Sequence, residues 1–536
     1  MKILAIIPAA EGLDTLPNRN MRILCGKPLI YYAINNAKES KYITDIIVTS
    51  NSDEVLTLVK QIGGARCYRR SKELSDTSVP LERVINDVRN ITDFNEYEYI
   101  ITMQSISVTL RHTTLDAAIE ECLSKHIDTM ISVSEKKKYF WKHDSHGFKS
   151  FQKQRVTKKQ LDPLYVETGA FFISRPCYIN DHSRIGGTQQ LFVLSKDESI
   201  DIISFGDLKE AEYVLTKKRI AFFVNGNSNI GMGHIKRVLM LADEFFVKPT
   251  IFFDTNITRL EFFGDTSYEI NGVDNIDDLI QSLKNGKYDL LINDVLQTSQ
   301  KDMRKIRSAI PGIKLVNFED DGDGAEEADL VINALYDGNS DEKHKIGSEY
   351  YVAPKLYLLQ KPIYINDTVK NILVTFGGAD PENYTSDVLS IIKDGLYSDY
   401  HFDVIIGPAK TTAISSTIEK LPPNVAIHRN VDGLVSLMRN SDMAICSRGR
   451  TGFELAICGI PSICMAQNER EERHNFFSEE NGFVYLGFHP TKKAMKESID
   501  RLLTSTREER IMQQEKMLRR NLRNGRKNII DLINNV

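Results

Sequence analysis

The stretch NGNSNIGMGHIKRVLMLADEF (225–245) sets an imidazole, His234, directly behind Gly231 and Gly233 at the start of a helical pattern. Imidazole titrates near neutrality, so it can take a proton from water or orient it. The glycines let backbone approach a ligand closely, and a helix starting there aims free N–H groups and a positive dipole end into the same space. Lys236 and Arg237 follow on that helix. The alternative is a glycine-rich turn closed by a capping histidine. Two later loops have related chemistry. FGGADPENYT (376–385) carries Gly377 and Gly378 between a strand pattern and a helix pattern. CSRGRTGFELAICGIPSICMAQNEREERHNF (446–476) reads as strand, glycine turn, helix, turn, strand and polar loop. Ser447, Arg448, Gly449 and Thr451 flank a helix start that can hold a diphosphate, and the Glu454 carboxylate can accept both hydroxyls of a ribose diol. The alternative for Glu454 is a surface helix charge.

Elements that could hold these groups recur along the chain. Strand-like runs fall at 45–50, 99–105, 128–133, 249–254, 289–294, 313–320, 371–378, 402–407, 443–447 and 461–466, with helical stretches between them. Short apolar runs alternating with helices predict an α/β protein with parallel sheets covered on both faces. MKILAIIPAA opens the chain, and KKRIAFFVNGN repeats that grammar near residue 218, after an amphipathic closing helix (206–218). QKPIYINDTVK (360–370) reads as a linker. The expected domains are therefore 1–218, 219–365 and 366–536. The tail from REERIMQQEKM onward is expected to be one charged helix with a solvated basic face.

The 536 residues are too many for one core. A net charge of −5 argues against a general nucleic-acid or anionic-membrane binder. No apolar run reaches membrane-span length, and the opening residues lack a secretory pattern, so no membrane span is expected. The seven cysteines are scattered with no C-x-x-C pair, which argues against a disulfide framework or zinc site and fits a reducing cytoplasm.

GMGHIKR, FEDD, FGGADPENYT and the SRGRTGFELAICGIP…QNE block appear in an order that resembles the UDP-sugar hydrolase of pseudaminic acid biosynthesis, a relative of the GT-B glycosyltransferases. The resemblance covers residues 219–536. It implies two Rossmann-like domains with UDP mostly on the second and the sugar in the cleft. It assigns the attack of water on the anomeric carbon to His234, counts the aspartate that ends the DLLIND strand, Asp294, as a retained catalytic position, and gives nucleotide or sugar contacts to the residues named above together with Asn468 and Glu469. No cofactor is implied for this half. One departure stands out: the family's tyrosine two residues after Asp294 is Leu296 here. That leaves room for a different sugar, or for glycosyl transfer to an acceptor other than water. His474 is a second polar candidate, read as a helix-face histidine.

Residues 1–218 resemble the cytidylyltransferases that activate sialic acid and related nonulosonic acids with CTP. The matching parts are IPA, LPNRN, GKPLIYYAI, RRSKELSDTSVPLERVI, MQS, YVETGAFFI and ESIDIISFGDLKEAE. The implied fold is a GT-A-like nucleotidyltransferase domain, fused here to the GT-B-type pair. Arg19, Asn20, Lys27, Gln104 and Glu167 fall at its CTP and sugar site. The family's phosphate-holding cations are replaced by Ala10, Glu11, Asp14 and Thr15, and acids there repel a triphosphate. Its D-x-D magnesium pair keeps Asp201, but the partner place is Ile203, so Mg2+, needed if this half is active, would be held more weakly. The loop reads as retired from CTP chemistry. The alternatives are an active cytidylyltransferase with an altered substrate, or a domain kept for structure or assembly. For Glu167 and Asp76 a satisfied polar core role stands beside sugar binding, and for Asp53 helix capping is the reading. The whole chain is thus expected to serve nonulosonic acid biosynthesis, with a UDP-sugar, CTP and a nonulosonic acid as partners and a homodimer as the assembly. A non-catalytic scaffold that binds nucleotide sugars is the alternative from another class.

Overall fold

The computed structural model describes residues 1–10, 16–71, 73–76, 78–152, 154–227, 231–336, 338–378, 380–393, 396–407, 421–429, 431 and 434–536. The chain divides into two compact units, Met1–Lys217 and Lys218–Val536.

The first unit is built on a seven-stranded mixed sheet. In spatial order its strands are Gln189–Leu194, Thr129–Lys136, Leu164–Ser174, Tyr99–Thr102, Ile3–Pro8, Asp45–Ser50 and Arg66–Arg69. Leu164–Ser174 runs antiparallel to both of its neighbours, and the other pairings are parallel. Ile3, Ala5 and Ile7 pack into one buried cluster while Leu4 and Ile6 pack into another. Burial on both faces explains the unbroken apolar run of the opening strand.

The second unit holds two all-parallel sheets. The first has the order Glu269–Val273, Thr250–Asp254, Ile220–Val224, Leu290–Asp294, Lys314–Phe318, Leu330–Asn333 and His344–Ile346. The second has the order Val425–Arg429, His401–Ile406, Asn371–Thr375, Met443–Ser447, Ser462–Ala466 and Phe483–Phe488. Both show the doubly wound Rossmann order, in which strand order reverses beside the first strand and opens a crevice at the carboxyl ends. Alternate residues serve alternate faces: Phe222, Ile292 and Val316 pack on one side of the first sheet, Ala221, Leu291 and Leu315 on the other. The architecture is the expected α/β one, with a pair of Rossmann-like sheets following a mixed nucleotidyltransferase-like sheet.

The carboxyl-terminal tail differs from the expected single solvated helix. It forms Arg507–Leu518 and Gly525–Asn534, separated by a short turn. Ile529 and Ile533 of the last helix enter the core of the first sheet, so the chain returns from the second sheet to the first. Arg526 is buried, donating to the Ala353 carbonyl at 2.7 Å and to Glu244 at 2.6 Å. Arg523 donates to the carbonyls of Gln360 and Ile457, both at 2.7 Å. These cations tie backbone together instead of facing water.

Candidate functional site

In the second unit the strand Ile220–Val224 leads through the glycine loop into the helix Gly233–Ala242. Gly231 has φ +94, a left-handed conformation that costs a side chain. Gly233 carries no Cβ where the Arg450 side chain lies: a Cβ there would meet Arg450 Nε at 2.8 Å. His234 and Arg237 stand three apart on one helix face and converge on Asp294, which ends the neighbouring strand across the switch point. His234 Nδ1 is 2.6 Å from Asp294 Oδ1. Arg237 donates through Nε to Oδ2 at 2.7 Å and through Nη2 to Oδ1 at 2.6 Å. A carboxylate oxygen only accepts, so Nδ1 carries the hydrogen and Nε2 is the atom through which the ring can do chemistry. Arg237 Nη2 also lies 3.4 Å from Nδ1, a contact beside the stronger bond.

This cluster is almost dry. His234 is 2% exposed, Asp294 0% and Glu319 4%. Burial alone pushes the Asp294 carboxyl up, but Arg237 and His234 overcome it and hold the group well below the ordinary carboxylate value. Glu319 follows the strand Lys314–Phe318 in a left-handed conformation (φ +49) and pairs with Arg237. Its carboxyl is lowered too, Arg237 and Arg450 outweighing burial. From the second sheet, Arg450 approaches Glu319 Oε2 to 3.9 Å.

The helix Arg450–Cys458 starts at Gly449 with no side-chain cap, so its first N–H groups and dipole end are open to an anion. Ser447 is buried at the end of the preceding strand, and Thr451 is half-buried on the first turn. Glu454, one turn in, has its carboxyl pushed up to about 7 by burial, against the Tyr357 hydroxyl it bonds and the charges of Lys236 and Arg450. Lys236 is itself exposed. The Arg448 guanidinium is directed elsewhere than sequence reasoning had it: it lies over the Tyr485 ring at 3.9 Å and donates to the Glu472 carbonyl at 2.6 Å. Arg450, unmarked in the sequence reading although inside the quoted motif, is the cation that reaches across. Glu319, inside the quoted FEDD, was likewise passed over.

Gly377, at φ +76, and the exposed Gly378 form the loop after Asn371–Thr375. The helix that follows, Tyr384–Ile392, is closed by Asp380, which accepts from the N–H groups of Tyr384 at 2.9 Å and Thr385 at 3.1 Å. Asn468 caps the short helix Glu469–Glu472 by accepting from Glu471 N at 2.8 Å, and Glu469 is exposed. Leu296 is half-buried, its carbonyl accepting from Asp321 N. His474 is not on a helix face in solvent. It is 5% exposed, beyond that helix, and bonds through Nδ1 to the Arg448 carbonyl at 2.6 Å.

In the first unit Asn20 is buried, donating to the Ala10 carbonyl at 2.7 Å and accepting from Ser105. Arg19 is half-buried in the turn Arg19–Met21. Lys27 is exposed, with Nζ 5.3 Å from the Tyr31 ring. Gln104 stands against Gly169, whose carbonyl accepts from its N–H at 3.0 Å. Glu167 and Asp76 are exposed, which removes the polar-core reading of both; Asp76 instead accepts from Ser78 N at 2.8 Å. Asp53 starts the helix Asp53–Ile62, but the cap is Ser52, and Asp53 pairs with Arg69. Glu11, Asp14 and Thr15 lie outside the described residues.

The Asp201 carboxylate accepts from Ser107 Oγ at 2.5 Å and from Gly169 N at 2.8 Å. Ile203, where a second carboxylate would stand, is 52% exposed and apolar. Among the described residues this place does not fit a two-carboxylate Mg2+ site, since Asp201 has no acidic neighbour two residues on.

Residues 4–175 match the Cytidylyltransferase family. The uncharacterized protein MJ1062 of Methanocaldococcus jannaschii is 29% identical over 279 residues, 47% of this chain and 56% of that protein. The chain thus spans little more than half the length of that relative. The CMP-N,N'-diacetyllegionaminic acid synthase of Legionella pneumophila is 28% identical over 212 residues, 38% of this chain and 91% of that protein. Among solved structures, MurG of Acinetobacter baumannii is similar with a TM-score of 0.46 at 14% identity, covering 60% of this chain and 100% of that one. The amino-terminal part of the chain is therefore a cytidylyltransferase-type domain similar to CMP-nonulosonate synthases.

Proposed function

We propose that residues 218–536 bind a UDP-linked amino sugar in the crevice between the two parallel sheets and transfer its glycosyl group to water. The observation that carries this reading is the buried His234–Asp294 pair, 2.6 Å apart at the switch point of the first sheet and facing the open helix start of the second. In this reaction the water oxygen bonds to the anomeric carbon as the bond from that carbon to the diphosphate oxygen breaks. UDP leaves with the electron pair, and the water proton passes to His234 Nε2. Asp294 orients the ring and stabilises the cation it becomes. The departing charge meets Arg450 and the first N–H groups of its helix, while Glu454 accepts the ribose hydroxyls. The likeness of the amino-terminal part to a legionaminic acid activating enzyme favours a sugar on the way to a nonulosonic acid.

The test is UDP release from UDP-amino sugars by the intact chain with no acceptor added. His234→Ala is expected to abolish release while UDP affinity stays within a few-fold; release at the wild-type rate refutes the assignment. Release that requires an added alcohol makes the protein a glycosyltransferase on the same site. The family match at residues 4–175 favours a cytidine nucleotide site in the first unit. Pyrophosphate formed from CTP and a nonulosonic acid, assayed in parallel, reports whether that unit transfers as well as binds.

A further inference from the structure

His474 and Glu319 lie in opposite halves of the second unit and share one property: each is buried yet keeps an acceptor atom that makes no hydrogen bond, although the Arg450 cation stands 3.9 Å from Glu319 Oε2. His474 is 5% exposed, and its Nε2 makes no hydrogen bond; Glu319 is 4% exposed, and its Oε2 makes none. The His474 Nδ1 bond to the Arg448 carbonyl fixes the tautomer, because a carbonyl only accepts. Nε2 is therefore a lone-pair acceptor. Burial lowers this imidazole to about 4, which keeps it neutral in ordinary buffers.

The setting is where the two halves of the second unit meet. Arg448, whose carbonyl anchors the ring, immediately precedes the Gly449 start of the open helix. Tyr336, from the loop after Leu330–Asn333, pairs backbone with His474 as an isolated bridge, and the rings stand 5.5 Å apart. Arg470 Nε donates to the Tyr336 hydroxyl oxygen at 2.6 Å, which leaves that hydroxyl its own hydrogen to donate. Glu319 acts on the His474 ring electrostatically, and its other oxygen already pairs with Arg237 of the His234 cluster. Buried acceptors left without donors are costly, and a site so built discriminates strongly against a ligand lacking the matching donor.

We propose that His474 Nε2 and Glu319 Oε2 form an acceptor pair that reads hydroxyl or amide N–H donors on the sugar, making His474 a specificity residue of this site. The inference rests on the nucleotide-sugar reading above and adds by what chemistry the sugar is recognised. Calorimetric titration of the full chain with UDP and with UDP-N-acetylglucosamine, whose sugar carries both kinds of donor, gives the ratio of the two dissociation constants. The wild-type chain is expected to bind the sugar nucleotide at least tenfold more tightly than UDP. His474→Phe, which keeps a ring and removes the acceptor, is expected to erase that preference while UDP affinity stays within threefold. His474→Gln, which can donate to the Arg448 carbonyl and still accept, is expected to restore most of it. An unchanged ratio in H474F overturns the proposal and leaves the acceptors to ordered water. A wild-type ratio near one overturns it without any variant. Binding of neither nucleotide by the wild-type chain is a distinct result: it removes the nucleotide-sugar reading and this inference with it.

Discussion

Asp294→Asn is the sharpest perturbation of the proposed site because it changes charge and hydrogen-bond sense without changing shape. The carboxylate is fully buried and accepts two bonds from Arg237, at 2.7 and 2.6 Å, besides facing His234 Nδ1 at 2.6 Å. An asparagine has one acceptor oxygen for these three donors, and its amide group must face either a guanidinium or the ring. Breaking one side of a buried ion pair costs about 3–5 kcal/mol. Glu319 still pairs with Arg237, so the lower end, about 3 kcal/mol, is expected. The pH dependence gives a second handle. The Asp294 carboxyl is held below its ordinary value, so its stabilisation is present above about pH 4 and is lost as pH falls toward the folded value. D294N is thus expected to melt earlier at pH 7 and to show a flatter loss of stability below pH 4. Catalysis suffers more than folding. With the amide donating to Nδ1, the ring hydrogen moves to Nε2, the wrong tautomer for taking a proton from water. An equivalent change in serine-protease triads costs about 10⁴ in kcat. UDP release is expected to fall at least a thousandfold, with UDP affinity changed little. A D294N protein that keeps a tenth of the wild-type rate refutes the role given to this pair.

Three further outcomes follow from the same geometry. Glu454 sits near 7 because of burial, so UDP affinity is expected to rise with pH up to about 7, by at most about tenfold per unit, and then level; Glu454→Gln flattens the profile. The sign is fixed by the ribose diol, which donates and therefore needs the ionised carboxylate; the same raised value means the unliganded protein loses stability between about pH 4.5 and 7. Arg450→Met, which also removes a cation from beside buried Glu319, is expected to weaken UDP binding at least tenfold with a smaller loss of melting temperature, whereas Arg448→Met, which loses the Tyr485 stack and the Glu472 carbonyl, lowers the melting temperature more than the affinity. Calorimetry with UDP and a thermal melt separate the two. Ile203→Asp restores a second carboxylate beside Asp201, and binding of magnesium–CTP is expected to tighten about tenfold; no change means that the loop around residue 10, not the metal pair, limits that site.

What could be read beforehand follows the physics of each element. All ten apolar runs became strands, because strands buried on both faces need unbroken hydrophobic sequence, and that is visible without a partner. Strands such as Glu269–Val273, EINGV, and Val425–Arg429, VAIHR, escaped, since edge strands are half exposed and carry no such run. Leu164–Ser174 was legible as a motif but not as an antiparallel insertion; direction is set by the connection, not by the residues. His234 and Arg237 could be named because a helix start announces itself locally, whereas Asp294 was named through the family resemblance. Their mutual contact follows from strand order, since only a reversal between Ile220–Val224 and Leu290–Asp294 brings helix and aspartate together.

Arg448 and Arg450 show the limit of such reading. Both belong to one SRGR run, two residues apart, and nothing in composition separates them. The difference is angular. Arg448 precedes the helix and turns toward Tyr485 within its own sheet layer, while Arg450, on the first helical turn, projects toward Gly233, where the missing side chain makes room for it. A glycine in one half is thus the complement of an arginine in the other, although they stand 217 positions apart in the chain. The same logic applies to Glu319 and His474. Glu319 went unmarked and His474 was a second candidate read as a helix-face histidine; their significance lies in acceptor atoms that hold no hydrogen bond after every local bond is made. Gly233→Ala tests the argument: a Cβ 2.8 Å from Arg450 Nε must push that side chain aside. Loss of UDP affinity comparable to that of R450M, with the His234 ring and its partners untouched, is the expected result. Wild-type affinity in G233A contradicts the pairing of that glycine with that arginine.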